Sequence, residues 1–197
     1  MSVLSDLVTA LNLPNILSLL RLAIVPFFIV ALSRGDFMTG LILYAVAGVT
    51  DALDGLIARR WKLQTPLGSF LDPMADKILM TASFIILSLH LPGQAVVFPL
   101  WLAILIISRD VIIVVVSLSL HLVHGIRHFP PSLPGKLNTM LEVATIFLVL
   151  WANVYPPVEH ILVYFYGGTL LFTALSGFHY IYRTARWVEK NHPSDVQ

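Results

Sequence analysis

Long apolar runs separated by short polar breaks organise this chain, and a bilayer-spanning helix needs about 20 predominantly apolar residues. The runs predict six such helices, at about 15–33, 37–60, 69–90, 95–122, 136–153 and 158–184. The expected fold class is therefore an all-α integral membrane protein, with residues 1–197 forming a single embedded domain. Pro14 opens the first span, where its missing N–H costs nothing. Arg34, Gly35 and Asp36 make the first turn, and Pro66 and Gly68 act as breakers in the connection from Arg60 to Gly68. Pro73 predicts that the third helix either starts at Asp72 or kinks there. LPGQ at 91–94 and YPP at 155–157 read as turns, and the proline-rich stretch 123–135 is the longest loop. Ahead of the first span, Val3, Leu4, Leu7, Val8 and Leu11 face away from Ser5, Asp6 and Thr9. That pattern fits a short interfacial helix or, equally, a frayed terminus. The first apolar run has neither a basic leader nor a small-residue cleavage site, so it reads as a retained helix. The polar tail from Ala185 is expected to fray.

Composition agrees with this reading. The chain is 57% hydrophobic and 12% charged, against about 25% charged in a soluble domain. It contains no cysteine, which removes disulfides, thiolate catalysis and thiolate metal sites. Where the charges fall says more than the net charge of +1. Six spans place both termini on one side, together with Arg59, Arg60, Lys62, Arg127, Lys136, Arg183, Arg186 and Lys190; the opposite loops carry Arg34. By the positive-inside rule both termini face the cytoplasm, as in a bacterial cytoplasmic membrane protein. The expected surroundings are a lipid bilayer, with no nucleic-acid partner.

Against that apolar background, the stretch from Asp51 to Lys77 carries four carboxylates: Asp51, Asp54, Asp72 and Asp76. An ionised side chain in a span costs about 2.5–3.5 kcal/mol on insertion scales, so a cluster of them marks a site. Asp51 and Asp54 share one helical face at i, i+3, and Asp72 and Asp76 share one at i, i+4. Antiparallel neighbours can turn these faces towards each other. Hard carboxylate oxygens select Mg²⁺, Mn²⁺ or Ca²⁺. Two such ions, about 3.5–4 Å apart, would balance the four charges and clamp a diphosphate. Gly55, Ala58 and Gly68 leave room for a ligand, and Arg59 offers a fixed positive fork for phosphate. The same acids could instead line a divalent-cation pathway or pair with Arg59, Arg60 and Lys77. A transporter would conduct metal without nucleotide, although a cation path gains nothing from a fixed charge at Arg59.

The pattern D-x2-D-G-x2-A-R-x8-G-x3-D-x3-D, complete here from Asp51 to Asp76, resembles the signature of the CDP-alcohol phosphotransferase family. The resemblance implies transfer of a phosphatidyl group from CDP-diacylglycerol to an alcohol, with release of CMP. It makes Asp51, Asp54 and Asp72 the main ligands of Mg²⁺ or Mn²⁺, as two ions, and gives Asp76 both a ligand role and that of general base. Gly55, Ala58, Arg59 and Gly68 would then contact the CDP moiety. A homodimer is also implied. The opening LPNILSLLR, with Pro14, Asn15 and Arg21, is similar to the branches whose acceptor is glycerol 3-phosphate or phosphatidylglycerol. Chain length and this opening favour glycerol 3-phosphate. The SRDV segment and GKLNT, with Asn138 where a lysine is common, look closer to the phosphatidylglycerol branch.

Other polar residues in the spans carry weaker readings. Asn15 either reaches the donor phosphate or caps a helix. Arg21 either snorkels to the interface or pairs with an acid. Arg109 and Asp110 are adjacent and cannot share one helix face, so if both are structural each is expected to need its own partner. Arg109, Arg127 and Lys136 are candidates for an anionic acceptor pocket; for Arg127 and Lys136 an ordinary basic flank explains them equally well. Glu142 is either buried or cavity-facing, and His179 reads as a core histidine. His124 and His128 are separated by Gly125, which argues against a metal pair. Trp101, Trp151 and Tyr155 fit interfacial belts.

Overall fold

The computed structural model describes residues 13–61, 66–124 and 133–191. The interfacial segment at 2–11, Arg127 and His128 lie outside the described residues. Among the described residues six long helices follow one another: α1 (Leu13–Ser33), α2 (Phe37–Trp61), α3 (Pro66–Leu87), α4 (Leu100–His124), α5 (Leu133–Val154) and α6 (Leu162–Asn191). A 3-10 turn, Pro156–Ile161, precedes α6. Among the described residues there is no strand. Four stretches among the described residues are long and apolar enough to cross a membrane: Asn15–Ser33, Leu100–Ser119, Leu133–Val154 and Pro156–Arg186. Phe37–Leu53 is a shorter apolar helix. Large apolar side chains such as Phe27, Val114, Tyr164 and Phe178 point outwards. Several apolar helices with apolar outer faces mark an integral membrane protein.

Where helix ends differ from the hydropathy pattern, proline and side-chain hydrogen bonds account for most of the difference. The third helix begins at Pro66 and not near residue 69, because a proline at the start of a helix gives up no intrahelical bond. It also runs through Pro73. The fourth begins at Leu100 instead of residue 95. Gly93 there has φ +69°, and the Gln94 amide donates to the carbonyls of Leu87 (2.9 Å) and Val96 (3.0 Å). Asn153 accepts from the backbone N–H of Ala95 (2.8 Å) and Val96 (2.9 Å) and donates back to the Val96 carbonyl (2.9 Å). A loop whose backbone is satisfied in this way need not become helix. The last helix continues to Asn191, past the expected fraying point at Ala185.

The chain divides into two compact units. One holds α1, α2, α3, the loop to Phe98, and Ile146–Glu159; the other holds Pro99–Thr145 and the chain from His160. In the first unit α1 packs against both α2 and α3. Phe28, Leu32, Tyr44, Phe84, Phe98 and Leu150 are buried in its core. The Phe28 and Tyr44 rings lie 6.1 Å apart, and those of Phe84 and Phe98 5.1 Å. Gly35, at φ +77°, closes α1: its N–H reaches the Leu32 carbonyl at 2.9 Å and that of Asp36 reaches Ala31 at 3.0 Å. Asp36 then caps α2, accepting from the Thr39 N–H at 3.0 Å. Hydrogen bonds from the Thr39 side chain and then its backbone hold the Asp36 carboxyl below the ordinary carboxylate range. In the second unit α4 packs on α6, and Thr145 meets Thr169 across α5 and α6 at 2.9 Å.

Candidate active site

One face of α1 is polar. Asn15, Ser18 and Arg21 recur every three residues along it and are buried, with Arg21 wholly inaccessible. This face receives carboxylates from two other helices. Arg21 Nη1 lies 2.7 Å from Asp51 Oδ1 on α2 and 3.5 Å from Asp76 Oδ1 on α3. The Ser18 hydroxyl donates to Asp72 Oδ1 on α3. Of the alternatives open for Arg21, pairing with an acid is the one observed.

The motif residues thus divide. Asp51, Asp72 and Asp76 come together on α1. Asp54, Gly55, Ala58, Arg59 and Gly68 lie within α2 and α3, but their side chains are outside the described residues. Asn15 is buried in line with Ser18 and Arg21. Ser18 carries no mark of its own in the sequence; its register with Asn15 and Arg21 is the one signal that could have found it.

The donor set suits a hard divalent cation. Asp51 and Asp76 supply oxygens from two helices and converge on a single guanidinium nitrogen, whose one charge does not balance the acids around it. Their side chains are 43% and 37% exposed, so they keep an open side. Among the described residues no three acidic or histidine side chains are already gathered at ligand spacing.

The second unit has its own polar groups. Arg109 pairs with Asp110 at 2.7 Å and donates to the Ser176 hydroxyl on α6. Although adjacent positions do not share a helix face, the long Arg109 side chain reaches back to Asp110, and Arg109 also has a partner of its own in Ser176. Arg109, Ile112, Phe178 and Tyr180 line a cavity of about 340 Å³. Lys136 is exposed on α5. Asn138 and Glu142 are both fully buried; Asn138 donates to Glu142 and accepts from Thr173 at 3.0 Å. His179 is exposed, off the buried stripe of Thr169, Thr173 and Ser176, and so is not a core histidine.

A model of the family described as CDP-alcohol phosphatidyltransferase matches residues 11–175. The chain is 34% identical over 188 residues to the CDP-diacylglycerol–glycerol-3-phosphate 3-phosphatidyltransferase of Bacillus subtilis, covering 86% of this chain and 93% of that protein. It is 34% identical over 181 residues to a probable phosphatidylglycerophosphate synthase of Mycobacterium tuberculosis, covering 89% and 82%. A probable CMP-forming cardiolipin synthase of Drosophila melanogaster is 35% identical over 186 residues, covering 84% of this chain. The match spans 56% of that longer relative.

Proposed function

Because the chain belongs to the CDP-alcohol phosphatidyltransferase family, we propose that it transfers a phosphatidyl group from CDP-diacylglycerol to glycerol 3-phosphate, releasing CMP. The observation that carries this reading is the meeting of Asp51, Asp72 and Asp76, three carboxylates of the family motif, on the polar face of α1. Asp51, Asp54, Asp72 and Asp76 would hold two ions, Mg²⁺ or Mn²⁺, which supply charge neutralisation at the diphosphate. Asn15, Gly55, Ala58, Arg59 and Gly68 would bind the donor. Asp76 takes the proton of the acceptor hydroxyl as its oxygen bonds to the phosphorus bearing diacylglycerol. The phosphorus–oxygen bond to CMP then breaks and CMP leaves. Arg109, Arg127 and Lys136 would bind the acceptor's phosphate. All six long helices would span the bilayer, with both termini and the acids on the cytosolic side, in a homodimer.

A second reading has its own support. Asn138 stands where a lysine would suit a small phosphate acceptor, and it is buried against Glu142 and Thr173. That favours phosphatidylglycerol as acceptor, as in a cardiolipin synthase. CMP release from CDP-diacylglycerol, measured with each acceptor in turn, separates the two. Asp76→Asn is expected to lower acceptor-dependent release by roughly 10²–10⁴-fold, the usual contribution of a general base. Release that persists in the variant overturns the base role. CMP release that is unaffected by EDTA overturns the metal requirement.

A further inference from the structure

Arg21 is fully buried, whereas the two carboxylates it joins are 43% and 37% exposed. The guanidinium therefore meets Asp51 and Asp76 from the interior, and the carboxylates present their open side away from it. A guanidinium stays charged at every working pH, so this charge remains whether or not a cation is bound. Two carboxylates drawn to one nitrogen, partly screened from water, would repel each other without it.

We infer that Arg21 is a positioning residue, a resident counter-charge that keeps Asp51 and Asp76 together when no divalent cation is bound. This rests on the reading of these carboxylates as cation ligands. In the wild type, metal can leave without the acid cluster springing apart. In an uncharged variant more of the charge that balances the acids must come from the cation itself, so folding becomes linked to metal. One nitrogen, Nη1, meets both acids, so a lysine ammonium placed there would keep the counter-charge.

The experiment measures thermal unfolding of the full chain in nanodiscs, in EDTA and in Mn²⁺, with Mn²⁺ binding followed by electron paramagnetic resonance. In EDTA, Arg21→Gln should unfold on the order of 10 °C below wild type, and Mn²⁺ should recover at least half of that loss. Arg21→Lys, which keeps the charge, should lose less stability in EDTA than Arg21→Gln and should depend less on Mn²⁺. Adding Asp51→Asn to Arg21→Gln should recover stability in EDTA, because it removes the repulsion. An equal fall with and without Mn²⁺, no fall in EDTA, or no recovery in the double variant each overturns the proposal. If Arg21→Gln does not fold, a double variant that folds supports it and one that also fails overturns it. Wild type that binds no Mn²⁺ removes the ligand reading, and this inference with it. Wild type that binds Mn²⁺ while the variant fails these tests overturns the inference alone.

Discussion

At the scale of single residues, Asn138 is spent from both ends: its amide donates to Glu142 and its carbonyl accepts from Thr173, in a fully buried setting. Asn138→Leu is expected to destabilise the protein by about 1–3 kcal/mol, because a buried carboxylate loses a donor. Thr173→Val breaks one neutral bond and should cost about 0.5–1.5 kcal/mol. Thermal unfolding of the two variants side by side checks the order. Arg109 calls for a kinetic test. If it binds the acceptor phosphate, Arg109→Ala should raise the acceptor KM by roughly 10- to 100-fold, the equivalent of a charge-assisted hydrogen bond, and leave the CDP-diacylglycerol KM unchanged. An equal rise for both substrates would remove that role. The acids of the site were legible in the sequence because charge in an apolar span is conspicuous and their gaps are fixed. Ser18 was harder to see, since a serine in an apolar helix is inconspicuous and only its three-residue register with Asn15 and Arg21 sets it apart.

At the scale of elements, α1 and α2 come close where Gly40 has no side chain. A Cβ there would lie 2.5 Å from Cδ2 of the buried Leu32. Gly40→Ala should therefore cost about 1–3 kcal/mol through overpacking, and Leu32→Ala in the same chain should relieve part of the strain, as a double-mutant cycle would report. The start of α2 predicts a pH effect. The Asp36 carboxyl is held below its ordinary range by the bonds from Thr39. Its stabilisation is thus present above the unfolded-state value, about 3.9, and is lost as pH falls through the lower folded value. Asp36→Asn should flatten the acid limb of the thermal midpoint against pH. Hydropathy found α1, α4, α5 and α6, whose apolar stretches are long enough to cross a bilayer, because backbone buried in lipid must satisfy itself as helix. It misplaced helix ends where local bonds compete, at Pro66 and in the loop braced by Gln94 and Asn153. That brace joins residues 57 and 58 positions apart, which no local periodicity can reveal.

At the scale of the whole molecule, the lack of any cysteine makes the proposed topology directly testable. A single cysteine at the exposed Glu159 should react with a membrane-impermeant maleimide in intact cells, whereas one at the exposed Arg186 should react after permeabilisation. The reverse pattern would invert the orientation. The pairing of Arg21 also bears on how the chain is made. Synthesis delivers α1 first, so its arginine enters the membrane before any of the acids that neutralise it exist. An arginine near the middle of a helix costs about 2.5–3.5 kcal/mol on insertion, while each Leu, Ile, Phe or Val returns about 0.3–0.6. α1, rich in these residues, can therefore enter by itself. The first charge-matched piece is nonetheless the α1–α2 hairpin, since Asp51 arrives with the second helix. Asp76 follows 55 positions after Arg21, so the nascent chain carries an incomplete ion cluster until the third helix has emerged from the ribosome.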